Sequence, residues 1–192
     1  VRIKVCGITT VRDGLNIEGM GVDAIGVVVC SGSPRCVTLK RARQIFAALR
    51  PATEKVCVTD TMNQNDIHLL LTLKPDTIQL HAPVPVPADA GVKVVRAVEP
   101  GDDVGMVCDA VLVDGSRGRG LAYDNGFVHA VMARSSVPVI LAGGLDPENV
   151  GSAIRALSPC SVDVSSGVEK SPGIKDMKKV REFVRVCREA EA

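Results

Sequence analysis

Pro138-Val139-Ile140-Leu141-Ala142-Gly143-Gly144 and, one helix length further on, Ser161-Val162-Asp163-Val164-Ser165-Ser166-Gly167 are the segments on which the fold turns. Each is an aliphatic run of strand length that closes on a small, glycine-bearing turn. Between them Asp146 reads as an N-cap with Pro147 at the first helical position, and Val150, Ala153, Ile154 and Leu157 recur on one helical face. Strand, turn, helix and strand in that order make a parallel crossover, because parallel neighbours cannot be joined by a tight hairpin.

The same unit repeats toward the N-terminus. Strands are predicted over 1–6, 24–29, 55–59, 77–80, 92–97 and 110–113, in addition to 138–141 and 161–165. Helical spacing follows most of them: Val11, Leu15 and Met20; Leu39, Ala42, Ile45, Phe46 and Leu49; Ile67, Leu70, Leu71 and Leu73; Phe127, Val128 and Met132. After the last strand, Asp176 reads as the cap of a helix with Met177, Val180, Phe183, Val184 and Cys187 inward. Two connections are eroded. Pro83-Val84-Pro85-Val86-Pro87 cannot be helix interior, which leaves at most a turn near Ala88–Ala90 as the fourth helix. The fifth, Val98–Cys108, offers a short, glycine-interrupted helix at best. Eight units across 192 residues leave about 24 residues each, enough for a strand and its crossover.

An α/β fold follows: a single (β/α)8 TIM barrel over residues 1–192, with helices 4 and 5 eroded. The competing architecture, an open doubly wound sheet, wants its glycine-rich turn after the first strand. Here that turn is Cys6-Gly7-Ile8-Thr9, and the glycine signals come after strands six, seven and eight. A barrel holds phosphate with the loops after strands seven and eight.

Composition supports this. The chain is 46% hydrophobic with no Trp, one Tyr and three Phe, so the core is aliphatic, as buried parallel strands are. Net charge is +1 with the signs interspersed, and stacking aromatics are scarce, which argues against a nucleic-acid binder. No apolar run has the length of a bilayer span, and Val1-Arg2-Ile3-Lys4-Val5 is not a signal peptide, so no membrane association and a cytoplasmic location are expected. The seven cysteines (Cys6, Cys30, Cys36, Cys57, Cys108, Cys160, Cys187) include no CxxC pair, so neither a disulfide framework nor a zinc site is expected. No metal and no cofactor are expected, and the chain is expected to be a monomer.

In a barrel the C-terminal ends of the strands line one mouth. The polar residues at those ends are Cys6, Asp60, Gln79, His81, Arg96, Asp114, Asp163, Ser165 and Ser166, with Arg35 in the second loop. Gly143-Gly144 and Ser166-Gly167 can bring backbone N–H groups close to an anion, or they can be tight turns that need positive φ. Cys6 follows Lys4 on the same strand face. Nearby positive charge favours a thiolate, although buried cysteines are more often inert. Asp114, beside a glycine-rich loop, is a turn former or an acid; opposite a thiolate it would complete a pair able to move a proton between adjacent carbons. Arg35 could clamp a carboxylate or stay solvated. His81 reads by itself as structural, and His68 and His129 fall on helices away from the mouth.

Taken together these motifs resemble the phosphoribosylanthranilate isomerase family. The resemblance is carried by Lys4-Val5-Cys6-Gly7-Ile8-Thr9, Ser33-Pro34-Arg35, Ile78-Gln79-Leu80-His81, Leu112-Val113-Asp114 with Tyr123-Asp124, Ile140–Leu145 with Pro147–Val150, and Val162–Glu169 with Ser171-Pro172-Gly173. It implies an Amadori rearrangement in tryptophan biosynthesis, on a small phosphorylated substrate. It also implies Asp114 as general acid, Cys6 as general base, Arg35 on the anthranilate carboxylate and Gly143, Gly144, Ser166 and Gly167 on the phosphate. Asp163, Gln79 and His81 complete the substrate contacts. The chain departs from the family pattern at Cys36, Ala82, Arg119 and Asn125. Two rival readings are a non-catalytic phosphate-binding barrel and a different phosphosugar enzyme such as an epimerase. The second usually relies on paired aspartates or metal-binding histidines, whereas His81 is the one histidine expected at this mouth.

Overall fold

A computed structural model describes residues 1–99, 107–114 and 125–190. Its centre is a closed barrel of eight parallel strands: β1 (Arg2–Val5), β2 (Ala24–Val28), β3 (Glu54–Thr59), β4 (Thr77–Leu80), β5 (Lys93–Val98), β6 (Ala110–Asp114), β7 (Val139–Ala142) and β8 (Ser161–Val164). Each strand pairs with its sequence neighbours, and β8 returns to β1 in the register Arg2↔Ser161 to Val5↔Val164. That closure excludes the open sheet. The helices are α1 (Val11–Glu18), α2 (Leu39–Ala48), α3 (Gln64–Leu71), α4 (Asn125–Arg134), α5 (Val150–Leu157) and α6 (Met177–Glu189).

Alternation along the strands divides the apolar residues into two environments. Ile3, Val5, Ile25, Val27, Ile78, Leu80, Val111, Val113, Leu141, Val162 and Val164 join the helices in one continuous core outside the barrel wall. Each such fully buried side chain contributes about 1.5–3 kcal/mol. The intervening residues face inward and form two smaller clusters, Cys6, Ala24, Val28, Val56 and Val58 on one side and Val95, Leu112 and Ala142 on the other. Lys4, Gln79 and Asp163 share that interior, so its middle is polar.

Side chains cap the helices where the sequence supplies them. Thr10 accepts from the Asp13 N–H, Thr38 from Arg41, Asn63 from Asn65, and Asp176 from Lys178 and Lys179. Helix α5 starts later than Asp146-Pro147 suggested. Asp146 accepts from the N–H groups of Glu148 and Asn149 and so caps a turn, and the regular helix begins at Val150. Asn149, at the N-cap, turns back instead to donate to the Gly144 carbonyl at 2.8 Å.

Between β4 and β5 no helix forms. The proline-rich segment is pinned by Val84, which is buried, and ends in a turn closed by Ala90 N–H donating to the Pro87 carbonyl. The fifth connection falls largely outside the described residues. One element was not expected. After β8 a short 3-10 turn (Ser166–Val168) leads into an antiparallel hairpin, β9 (Glu169–Ser171) and β10 (Ile174–Lys175), before α6. Thr9 Oγ1 donates to the Gly173 carbonyl at 2.7 Å and ties this hairpin to the loop after β1. No helix among the described residues is long and apolar enough to cross a membrane.

Candidate active site

The strand ends converge on a cavity of about 350 Å³ at the C-terminal mouth. Cys6, Arg35, Asp60, Gln79, His81, Asp114, Gly143, Gly144, Asp163, Ser165 and Ser166 all line it. Cys6 from β1 and Asp114 from β6, which no local pattern relates, therefore face one space. Each is held by the ladder. Cys6 N–H donates to the Val164 carbonyl at 2.8 Å, and Asp114 is in register with Ala142. Arg96 is the exception. It is directed to the proline-rich connection, where Nη2 donates to the Val84 carbonyl at 3.2 Å, and it does not line the cavity. Arg119, Tyr123 and Asp124 lie outside the described residues, as does the side chain of Asn125.

The floor of the cavity is charged. Lys4 Nζ donates to Asp163 Oδ2 at 2.7 Å, and both side chains are buried. Burial would lower the lysine, but Asp163 and then Cys6 outweigh it and hold the ammonium above its usual range. The expectation that Lys4 would draw Cys6 toward the thiolate is only half met. Burial dominates and pushes the thiol up; Lys4 and Lys175 pull it down, Asp163 adds to the rise, and the net is upward. The positive charge beside the sulfur is shared with a carboxylate, which is why it does not prevail.

Arg35 is not a free clamp either. Its Nε and Nη2 grip Glu169 at 2.9 and 2.7 Å, and Glu169 also accepts from Lys175 at 2.8 Å. Lys175 donates in addition to the Ser165 carbonyl at 3.0 Å, directly beside the turn expected to hold phosphate. This Arg35–Glu169–Lys175 chain, buried except at the half-buried Arg35, was not anticipated. Glu169 and Lys175 flank Pro172-Gly173, a turn signal that, read as a hairpin, would have paired them. Across the mouth, Gln79 Nε2 lies 3.0 Å from His81 Nε2, so with Gln79 donating the ring accepts there. Burial, then Lys4, lowers His81 against Asp163, Asp114 and Asp60, which favours the neutral imidazole.

Two turns flank the floor. Gly143 and Gly144 both have positive φ, at 82° and 62°, so the turn after β7 requires glycine. Gly167 does not share that conformation. A side-chain carbon there would stand 1.9 Å from the Leu145 carbonyl oxygen, so close packing of the two loops is what excludes one. Among the described residues no group of three or more His, Cys, Asp or Glu could hold a metal ion.

The Glu169 cluster carries a stability prediction. Burial would raise its carboxyl, but hydrogen bonds and charge from Arg35 and Lys175 hold it below the usual range. A depressed carboxylate contributes stability above its unfolded value and loses it as pH falls through the folded one. The melting-temperature gap between the unaltered protein and Glu169→Gln should therefore be full at neutral pH and close below about pH 4. Thermal melts of both proteins at several pH values measure it, and a constant gap would contradict the ion-pair account.

A family model described as N-(5'phosphoribosyl)anthranilate (PRA) isomerase matches residues 3–186. The chain is 50% identical over 192 residues to the N-(5'-phosphoribosyl)anthranilate isomerase of Methanoregula boonei, covering all of this chain and 98% of that protein. Among solved structures it resembles the phosphoribosyl anthranilate isomerase of Thermus thermophilus, with a TM-score of 0.87, 33% identity, and 98% and 99% of the two chains covered. A third relative is a phosphoribosyl anthranilate isomerase solved in complex with reduced 1-(o-carboxyphenylamino)-1-deoxyribulose 5-phosphate. Its TM-score is 0.80 at 29% identity, with 98% and 99% of the chains covered.

Proposed function

We infer how the mouth works from one premise: the chain belongs to the N-(5'-phosphoribosyl)anthranilate isomerase family and is an isomerase of tryptophan biosynthesis. Its substrate is the small phosphorylated N-glycoside that the family rearranges, and residues 1–192 act as one isomerase domain, a monomer in the cytoplasm. Asp114 is the general acid. It protonates the furanose ring oxygen, the C1–O bond breaks, and the nitrogen lone pair forms the Schiff base. Cys6, as thiolate, then removes the proton from C2, and the electron pair flows into the iminium to give an enolamine. Tautomerisation places a proton on C1 and leaves the ketone at C2. The imine takes up the developing charge.

Binding follows from the surrounding groups. The backbone N–H groups of the Gly143-Gly144 and Ser166-Gly167 turns seat the phosphate. Arg35, its plane set by Glu169, meets the anthranilate carboxylate at the rim. Asp163 keeps Oδ1 without a partner among the described residues, and it accepts a sugar hydroxyl. Gln79 and His81 close the opposite wall. The observation that carries this reading is that one cavity is lined by the β1 thiol, the β6 carboxyl and both turns. Turnover of phosphoribosylanthranilate by the purified protein tests it, and phosphate binding without turnover would leave only a binding module.

The pair also determines a pH profile. Through neutral pH kcat/KM should be level. It should fall only above the ordinary thiol range, since burial pushes Cys6 up. Initial rates from acid to strongly alkaline pH check this, and a decline already at neutral pH would count against the assignment.

A further inference from the structure

Gly26 sits in the middle of β2 with no left-handed backbone to explain it. A side-chain carbon at that position would lie 2.9 Å from Cys6 Sγ, 3.1 Å from Cys6 Cα and 3.1 Å from Lys4 Cε. The sulfur and the last methylene of the lysine thus crowd around one common point on the neighbouring strand. Glycine in a strand interior costs stability and often marks a place where other atoms must come close. We propose that Gly26 and Lys4 are positioning residues for the Cys6 thiol: the side chain missing from β2 opens the gap in which the lysine reaches the sulfur from within the barrel. The proposal rests on Cys6 being the base.

The surrounding charges show why this arrangement matters. Lys4 approaches from the same strand and Asp163 from β8, and the two are bonded at 2.7 Å. Lys175 reaches in from β10 and Arg35 from the loop after β2, but both are committed to Glu169. Asp114, Asp60 and His81 line the far wall of the same cavity. Lys4 is therefore the cation nearest the sulfur on its own strand, and Asp163 is its competitor for that charge. A substrate hydroxyl that hydrogen-bonds the unpartnered Asp163 Oδ1 draws carboxylate charge toward itself and leaves more of the ammonium to the thiolate. The base then becomes stronger when the sugar is in place.

The test reads the thiol directly, on the full chain. Alkylation of Cys6 by iodoacetamide is followed against pH, peptide by peptide so that the other six cysteines do not contribute, together with kcat and KM. Lys4→Met should move the alkylation midpoint to higher pH and slow the reaction ~10-fold or more near neutrality, and Lys4→Arg should restore most of it. Asp163→Asn should move the midpoint the opposite way. Gly26→Ala should lower kcat by ~10- to 100-fold with little change in KM, because a displacement of even an ångström at the base is costly. If Lys4→Met fails to fold around its unpaired Asp163, the near-isosteric Asp163→Asn variant carries the test alone. An unmoved midpoint in Asp163→Asn, or an unchanged kcat in a folded Gly26→Ala, overturns the proposal. Full turnover by Cys6→Ala would instead sink the base assignment, a separate result because alkylation does not depend on turnover.

Discussion

Cys6→Ala should lower kcat by ~10²-fold or more while leaving the fold and the affinity for inorganic phosphate almost unchanged. The thiol, one residue past β1, reaches the mouth with a transferable proton, and its backbone N–H is bonded to Val164 whatever the side chain. Removing one buried heavy atom costs about 1 kcal/mol of stability. The Lys4–Asp163 pair and both turns proposed to seat the phosphate stay in place. The loss therefore falls on the chemical step, visible as a reduced rate in single-turnover experiments with saturating substrate. A variant that keeps its rate would show that another group abstracts the C2 proton.

Asp114→Asn is expected to reduce turnover as severely, ~10²-fold or beyond, for a complementary reason. The amide has nearly the shape of the carboxyl, and the β6–β7 ladder extends to residue 114, so the backbone has no cause to move. What disappears, on the proposed mechanism, is the proton for the ring oxygen, hence ring opening. A substrate analogue already in the open-chain form should be processed by Asp114→Asn far better than the closed glycoside, and equal impairment on both would falsify the role assigned to this acid. Together the two variants separate ring opening from proton abstraction at C2.

Much of this was legible in the linear chain because it depends on local chemistry. Aliphatic runs marked all eight strands to within a residue or two. Proline at 83, 85 and 87 removed the fourth helix for want of backbone donors, and Asp176 capped the last helix as its position required. What local reading missed was pairing at long range. Arg35 looked like a solvated side chain or a ready clamp because its partner Glu169 is 134 residues away. Lys4 looked like an activator of Cys6 because nothing nearby shows that Asp163, 159 residues on, shares its charge. The hairpin at Glu169–Lys175 was passed over because its strands are only three and two residues long, too short to show a period.

By itself the order of residues determined a closed α/β barrel and, Arg96 apart, most of the polar side chains that line its C-terminal mouth. Those properties follow from periodicity, from proline and glycine, and from the rule that strand ends share one rim. Only the tertiary structure decided how charge is distributed among those side chains. Burial raises the energy of every ion inside the wall, so Lys4 and Arg35 are each held by a carboxylate brought from the far end of the chain. Which pairs form is a matter of barrel closure, β8 against β1, and that contact exists nowhere in the sequence.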